Sequence, residues 1–132
     1  MKILIAEDAP VNQLLLANFL KPYGECHLVS DGESAVERFR ESLEETARKY
    51  DLVCLDIMMP EMDGQAALKE IRHLEKERGL HDGSRVKVMM ITALDDSGNI
   101  MEALVKGGCE AYLTKPVSAS VIQQQLVELG LI

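Results

Sequence analysis

Five positions carry side chains able to do chemistry together. Glu7 and Asp8 follow the apolar run 2–6, Asp56 follows 52–55, Thr92 follows 86–91, and Lys115, with Pro116 after it, closes the run that begins at 111. Carboxylates gathered at close range repel unless a cation sits between them. Mg²⁺ takes oxygen ligands in octahedral geometry, usually one or two carboxylates with waters and phosphate oxygens. Mn²⁺ accepts the same donors. Asp8 and Asp56 are the natural direct ligands, joined by one backbone carbonyl, and Glu7 reaches such an ion through water. A carboxylate is also a nucleophile toward phosphorus, giving an acyl phosphate. Phosphoryl transfer asks a protein mainly for positioning and charge stabilisation. Lys115 can place a point charge on one phosphoryl oxygen, Thr92 can donate a hydrogen bond to another, and the small Ala93 leaves room for the donor. Alone, such an Asp would be a turn or capping residue and such a Lys a solvated charge. Five of them, at the ends of four apolar runs, read as a site.

The elements that must position them alternate in type. Strands are expected at 2–6, 26–29, 52–55, 86–91 and 111–113. Helices are expected between them. Pro10 opens the first at a position proline favours, Val11, Leu14, Leu15 and Phe19 recur at helical spacing, and Pro22 and Gly24 end it. Asp31-Gly32 is a turn signal. Ala35, Val36, Phe39, Leu43 and Ala47 mark a long second helix. Residues 58–64 form a loop, and Ala67, Leu68, Ile71 and either Leu74 or Glu75 mark the third helix. Residues 79–85 form a polar loop, 99–106 a short helix ended by Gly107-Gly108, and 118–129 a last helix with Ser118 as N-cap. Five βα units in series call for α/β architecture, a parallel sheet covered on both faces. The wholly apolar third strand fits burial on both sides. Ligands of such sheets sit beyond the carboxyl ends of the strands, where the five polar positions fall.

Composition narrows the class of function. The 132 residues favour one domain spanning 1–132, and 47% hydrophobic content suffices for a core. A net charge of −8 argues against direct binding to nucleic acid, which needs Lys and Arg on phosphates. A basic partner surface or a bound cation suits it better. Cys26, Cys54 and Cys109 are odd in number and lack a C-x-x-C pair, so neither a disulfide framework nor a zinc site is expected. His27, His73 and His81 show no metal spacing and read as structural or solvated. The charged run 41–49 reads as a solvated helix face. No stretch is long enough to span a membrane and the N-terminal apolar run is too short for a signal peptide, so a cytoplasmic, freestanding domain is expected.

Four motifs give these residues a family. Ile5-Ala6-Glu7-Asp8, the run from Leu55 and Asp56 through Met58, Met59 and Pro60 to Asp63-Gly64, then Ile91-Thr92-Ala93, then Ala111-Tyr112-Leu113-Thr114-Lys115-Pro116 occur in that order. Over essentially its whole length the chain resembles the receiver domain of bacterial two-component response regulators, of the single-domain chemotaxis type. The resemblance implies a flavodoxin-like, doubly wound (βα)5 fold with strand order 2-1-3-4-5. It implies Asp56 as phosphoacceptor, and Asp8, Asp56 and the backbone carbonyl of Met58 as Mg²⁺ ligands with Glu7 beside them. Thr92 and Lys115 would hold the phosphoryl group. Tyr112 would be the switch aromatic, and Pro116 would follow a cis peptide that aims Lys115.

The same resemblance implies a phosphorylation-activated switch, a phosphoprotein and not a conventional enzyme, which catalyses only its own phosphorylation and dephosphorylation. Its donor would be a sensor histidine kinase, a histidine phosphotransfer protein or a small phosphodonor, docked near the first helix. With no output domain expected after Ile132, it would act on a separate downstream partner or through a phosphorylation-dependent homodimer. The readout face would comprise the 99–106 helix, the fifth strand and the last helix. Apolar Met58 and Leu94 offer little help to an attacking water, so a moderately long-lived acyl phosphate is expected. The long second helix and the 79–85 loop are similar to receivers of hybrid kinases and point to the alternative of a phosphorelay intermediate. An aspartate-nucleophile phosphatase is the competing class, but its general acid two residues after the nucleophile is replaced here by Met58 and there is no room for a cap domain. A binding module with a silent site is the third, and the full acceptor set counts against it.

Overall fold

The computed structural model describes residues 1–44, 48–81, 83–92 and 108–132. Its elements are β1 (Lys2–Ala6), α1 (Pro10–Leu20), a 3₁₀ turn (Lys21–Tyr23), β2 (Glu25–Val29), α2 (Gly32–Ser42), β3 (Leu52–Asp56), α3 (Gly64–Glu77), β4 (Lys87–Thr92), β5 (Ala111–Thr114) and α4 (Ala119–Glu128). The five strands pair in parallel in the order β2-β1-β3-β4-β5, the order the resemblance implied. The helix expected at 99–106, with Ala93 and Leu94 before it, lies outside the described residues.

Period-two alternation of side chains divides the core. Leu4, Val53, Leu55, Val88 and Met90 face one way, against α2 and α3. Ile3, Ile5, Cys54, Met89 and Ile91 face the other way, against α1 and α4. Every residue of β3 is buried, as its unbroken apolar run requires at the centre of a parallel sheet.

Side-chain caps fix where α2, α3 and α4 begin. Asp31 accepts from the Ser34 N–H at 2.7 Å, Asp63 from Ala66 at 2.9 Å and Ser118 from Val121 at 3.3 Å. The Asp31-Gly32 turn signal is thus an N-cap, with Asp63 a second one. The second helix ends at Ser42, where the Leu43 N–H donates to the Arg40 carbonyl, and Ala47, expected within it, lies outside the described residues. At α3, Glu75 is buried in preference to Leu74.

The first helix departs from the expected face. Leu16 and Leu20 enter the core, while Val11, Leu14 and Leu15 stand out in solvent. Leu14 is 62% exposed.

A buried ion network joins α3, β4 and the approach to β5. The Arg72 guanidinium donates to Glu75 at 2.8 Å, to both Glu110 oxygens at 2.9 and 2.8 Å, and to the carbonyls of Val86 and Gly108. Glu75 and Glu110 in turn accept from the N–H groups of Val86 and Val88, each at 2.6 Å.

Candidate functional site

Parallel pairing aligns the carboxyl ends of the strands along one edge of the sheet. Ala6 is in register with Leu55, and Asp56 with Ile91. Glu7 follows the last residue of β1, Asp56 is the last of β3 and Thr92 the last of β4. Lys115 comes one residue after β5 and is joined to Pro116 by a cis peptide bond.

Two of the acidic groups are buried. Glu7 is 1% exposed and Asp56 3%, whereas Asp8 is open to solvent. One ligand oxygen from each of Glu7, Asp8 and Asp56 lies within 4.8 Å of the others. Lys115 Nζ donates to Glu7 Oε1 and to Asp56 Oδ2, each at 3.0 Å. The second Glu7 oxygen accepts from the Ala9 N–H at 3.1 Å, and Asp56 Oδ1 from the Met58 N–H at 3.3 Å. Burial pulls the Lys115 ammonium toward losing its proton. The hydrogen bonds and charges of Asp56 and Glu7 together outweigh that pull and hold its pKa above the ordinary lysine value.

Three carboxylates beside one ammonium leave an excess of two negative charges. An all-oxygen donor set with that excess fits Mg²⁺. Among the described residues this is the only cluster of three or more His, Cys, Asp or Glu side chains close enough to share an ion.

The loop after Asp56 is shaped by a close approach. A Cβ on Gly64 would collide with the Asp56 carbonyl oxygen, and the Gly64 N–H donates to the Ile57 carbonyl at 2.9 Å. This fold-back brings α3 up against the end of β3 and leaves the Met58 side chain exposed. Thr92 is fully buried, while Tyr112 on β5 is half-exposed. Met90 and Tyr112 are register partners.

A cavity of about 330 Å³ opens beside the site, with Leu15, Phe19 and Val117 among its walls and Glu7 and Lys115 at its polar end. Reading the residues by type did not single out Gln13, whose side chain holds the chain that carries Glu7 and Asp8. Its only signal was a polar residue within a nearly apolar helix. The Lys115 bridge between Glu7 and Asp56 was also unforeseen, because the resemblance assigned that lysine to the phosphoryl group.

His27 has the structural role expected of it, bonded to the Tyr50 hydroxyl at 2.8 Å and to Glu25 at 3.0 Å. The three cysteines are free thiols.

The comparisons agree with the geometry. The receiver domain of the sensor histidine kinase PA1611 from Pseudomonas aeruginosa, whose structure holds a magnesium ion in the active-site cleft, superposes with a TM-score of 0.75 at 31% identity, over 96% of this chain and 94% of that one. The Saccharomyces cerevisiae co-crystal of the phosphotransfer protein Ypd1 with the receiver domain of Ssk1 gives a TM-score of 0.83 at 30% identity, over 98% and 88%. The sensor histidine kinase GacS of Pseudomonas protegens is 31% identical over 128 residues, 96% of this chain, and the chain spans only 13% of that kinase's length. A model of the response regulator receiver domain matches residues 3–127, and it is to this family that the chain belongs.

Proposed function

We propose that residues 1–132 act as one receiver unit, a cytoplasmic switch that takes a phosphoryl group onto Asp56. The observation that carries this reading is the Asp56 carboxylate, buried at the end of β3 and held 3.0 Å from Lys115 beside two further carboxylates. An Asp56 oxygen attacks phosphorus of a phosphohistidine. The new O–P bond forms as the P–N bond breaks, and the imidazole leaves with that electron pair and takes a proton from solvent. Lys115 turns its ammonium to a phosphoryl oxygen, and the Thr92 hydroxyl donates to another. Asp8, Asp56 and the Met58 carbonyl would hold Mg²⁺, with Glu7 beside them, and the bound ion would supply charge neutralisation for the transferring group. Mn²⁺ would substitute. Withdrawal of Thr92 toward the phosphoryl group opens space for Tyr112 to swing inward, and the new contacts shift the population of two conformers. The same site would hydrolyse its own acyl phosphate, slowly, because Met58 offers the water no polar help.

The donor is a histidine kinase or a histidine phosphotransfer protein. The exposed apolar residues Val11, Leu14 and Leu15 on α1, of which Leu15 lines the cavity that reaches Lys115, suit a helical partner. Readout passes to a downstream protein or a homodimer. The similarity to the receiver of Ssk1, which was crystallised with Ypd1, favours a second reading, a relay intermediate that exchanges its phosphoryl group with a histidine.

The test is intact mass after incubation with acetyl phosphate and Mg²⁺. The wild type gains one phosphoryl group, and Asp56→Asn gains none. A folded wild type that stays unmodified with acetyl phosphate and with a phosphorylated histidine donor overturns the reading.

A further inference from the structure

We infer that Gln13 is a positioning residue for the metal-binding acidic pair, acting by clamping the Glu7 carbonyl to the end of β2. The inference rests on the phosphoacceptor reading above and adds a residue to its machinery.

Gln13 lies in the first turn of α1, half-buried. Its amide Nε2 donates to the Glu7 carbonyl at 3.2 Å and to the Val29 carbonyl at 2.9 Å. The Val29 carbonyl also accepts from the Glu7 N–H at 3.1 Å. Both N–H bonds of the amide are therefore spent on backbone oxygens at the ends of two neighbouring strands. Ladder pairing of β1 ends at Ala6, opposite Val29 on one side and Leu55 on the other. The Glu7 carbonyl lies one residue past it, and the Gln13 amide supplies its donor.

The consequence for Asp8 follows from covalent geometry. The Glu7 carbonyl oxygen and the Asp8 Cα share one rigid peptide plane. Holding that oxygen sets the plane, and so sets where Asp8 leaves the backbone. Asp8 is solvent-exposed and receives none of the Lys115 contacts that hold Glu7 and Asp56. The clamp thus gives direction to the acidic residue that the ion pair leaves untouched. An apolar side chain at position 13 could make neither bond.

The experiment is a calorimetric titration of the full chain with Mg²⁺, run beside thermal unfolding in EDTA. Gln13→Met keeps the length and removes both donors. Gln13→Asn keeps the donors one methylene short and carries the test if the methionine variant fails to fold. Partners that orient metal ligands typically contribute 10–100-fold in affinity. The Mg²⁺ dissociation constant is expected to rise roughly tenfold in Gln13→Met and by less in Gln13→Asn. The Mg²⁺ concentration for half-maximal phosphorylation should rise by the same factor, with a smaller fall in rate at saturating Mg²⁺. Folded variants that bind Mg²⁺ as the wild type does overturn the inference, as does a lowered unfolding midpoint in EDTA with unchanged Mg²⁺ affinity. A wild type that binds no Mg²⁺ removes the parent reading and the inference with it, and is told apart by the wild-type titration alone.

Discussion

Lys115 stands 3.0 Å from both Glu7 and Asp56, so any divalent ion entering the cluster meets an ammonium already there. Lys115→Met is expected to tighten Mg²⁺ binding by removing that competitor. It should also slow phosphorylation from acetyl phosphate by on the order of a hundredfold, the loss typical of one charge-stabilising donor. Calorimetry and intact-mass kinetics on the same variant check both. The pKa of Lys115 is raised in the folded chain. Its ion pairs therefore stabilise the fold fully below the ordinary lysine value, and that contribution is lost as pH rises through the raised one. Around neutral pH the pairing is complete, so Lys115 gives Mg²⁺ affinity no pH dependence there, which titrations at a few neutral pH values test. The thiols give a second residue-scale prediction. Burial pushes up all three cysteines, and Cys54, fully enclosed in β3, the furthest. Iodoacetamide should leave Cys54 unmodified until denaturant is added, as peptide mapping will show. The acidic pair, Asp56, Thr92 and Lys115 were legible because each closes an apolar run. Gln13 was not, because its partners are backbone carbonyls, one of them on a strand 16 residues away.

At the scale of elements, α1 and α3 show what periodicity can and cannot decide. The first helix is apolar on nearly all sides, so helical spacing alone could not choose between the Leu16–Leu20 face and the Val11–Leu14–Leu15 face. The choice is made by the sheet, which takes Leu16 and Leu20 and leaves Val11, Leu14 and Leu15 outside. Leu14→Asp should change stability by no more than about 0.5 kcal/mol, as exposed positions do. It should also sharply slow transfer from a phosphorylated histidine protein while leaving acetyl phosphate modification intact. Equal loss from both donors would remove α1 as the docking face. The third helix was placed well by its apolar positions, yet the role of Arg72 was hidden, because Glu110 lies 38 residues away. Arg72 is only 11% exposed in its side chain. Arg72→Met would leave the buried Glu75 without its cation, and Glu110 with Arg85 alone at 3.7 Å. A loss of about 3 kcal/mol is expected, the usual result of breaking a buried pair from one side. Urea unfolding of the variant measures it.

For the whole molecule, the binary pattern of strands was enough to specify two packed layers on a parallel sheet, and the strand order followed from family likeness. Mg²⁺ should stabilise this fold by mass action, by about 2.7 kcal/mol at one hundred times its dissociation constant. Asp56→Asn removes one ligand carboxylate and should blunt that gain, which thermal unfolding with Mg²⁺ or EDTA will show. The short β5 has a further consequence. It pairs with β4 only from Met89 onward, which would leave the N–H groups of Val86 and Val88 facing an open flank. The Glu75 and Glu110 carboxylates take those donors. A foreign strand approaching there would find those two N–H groups already taken. The side chains that brace β4 from within thereby guard the sheet against edge-to-edge aggregation.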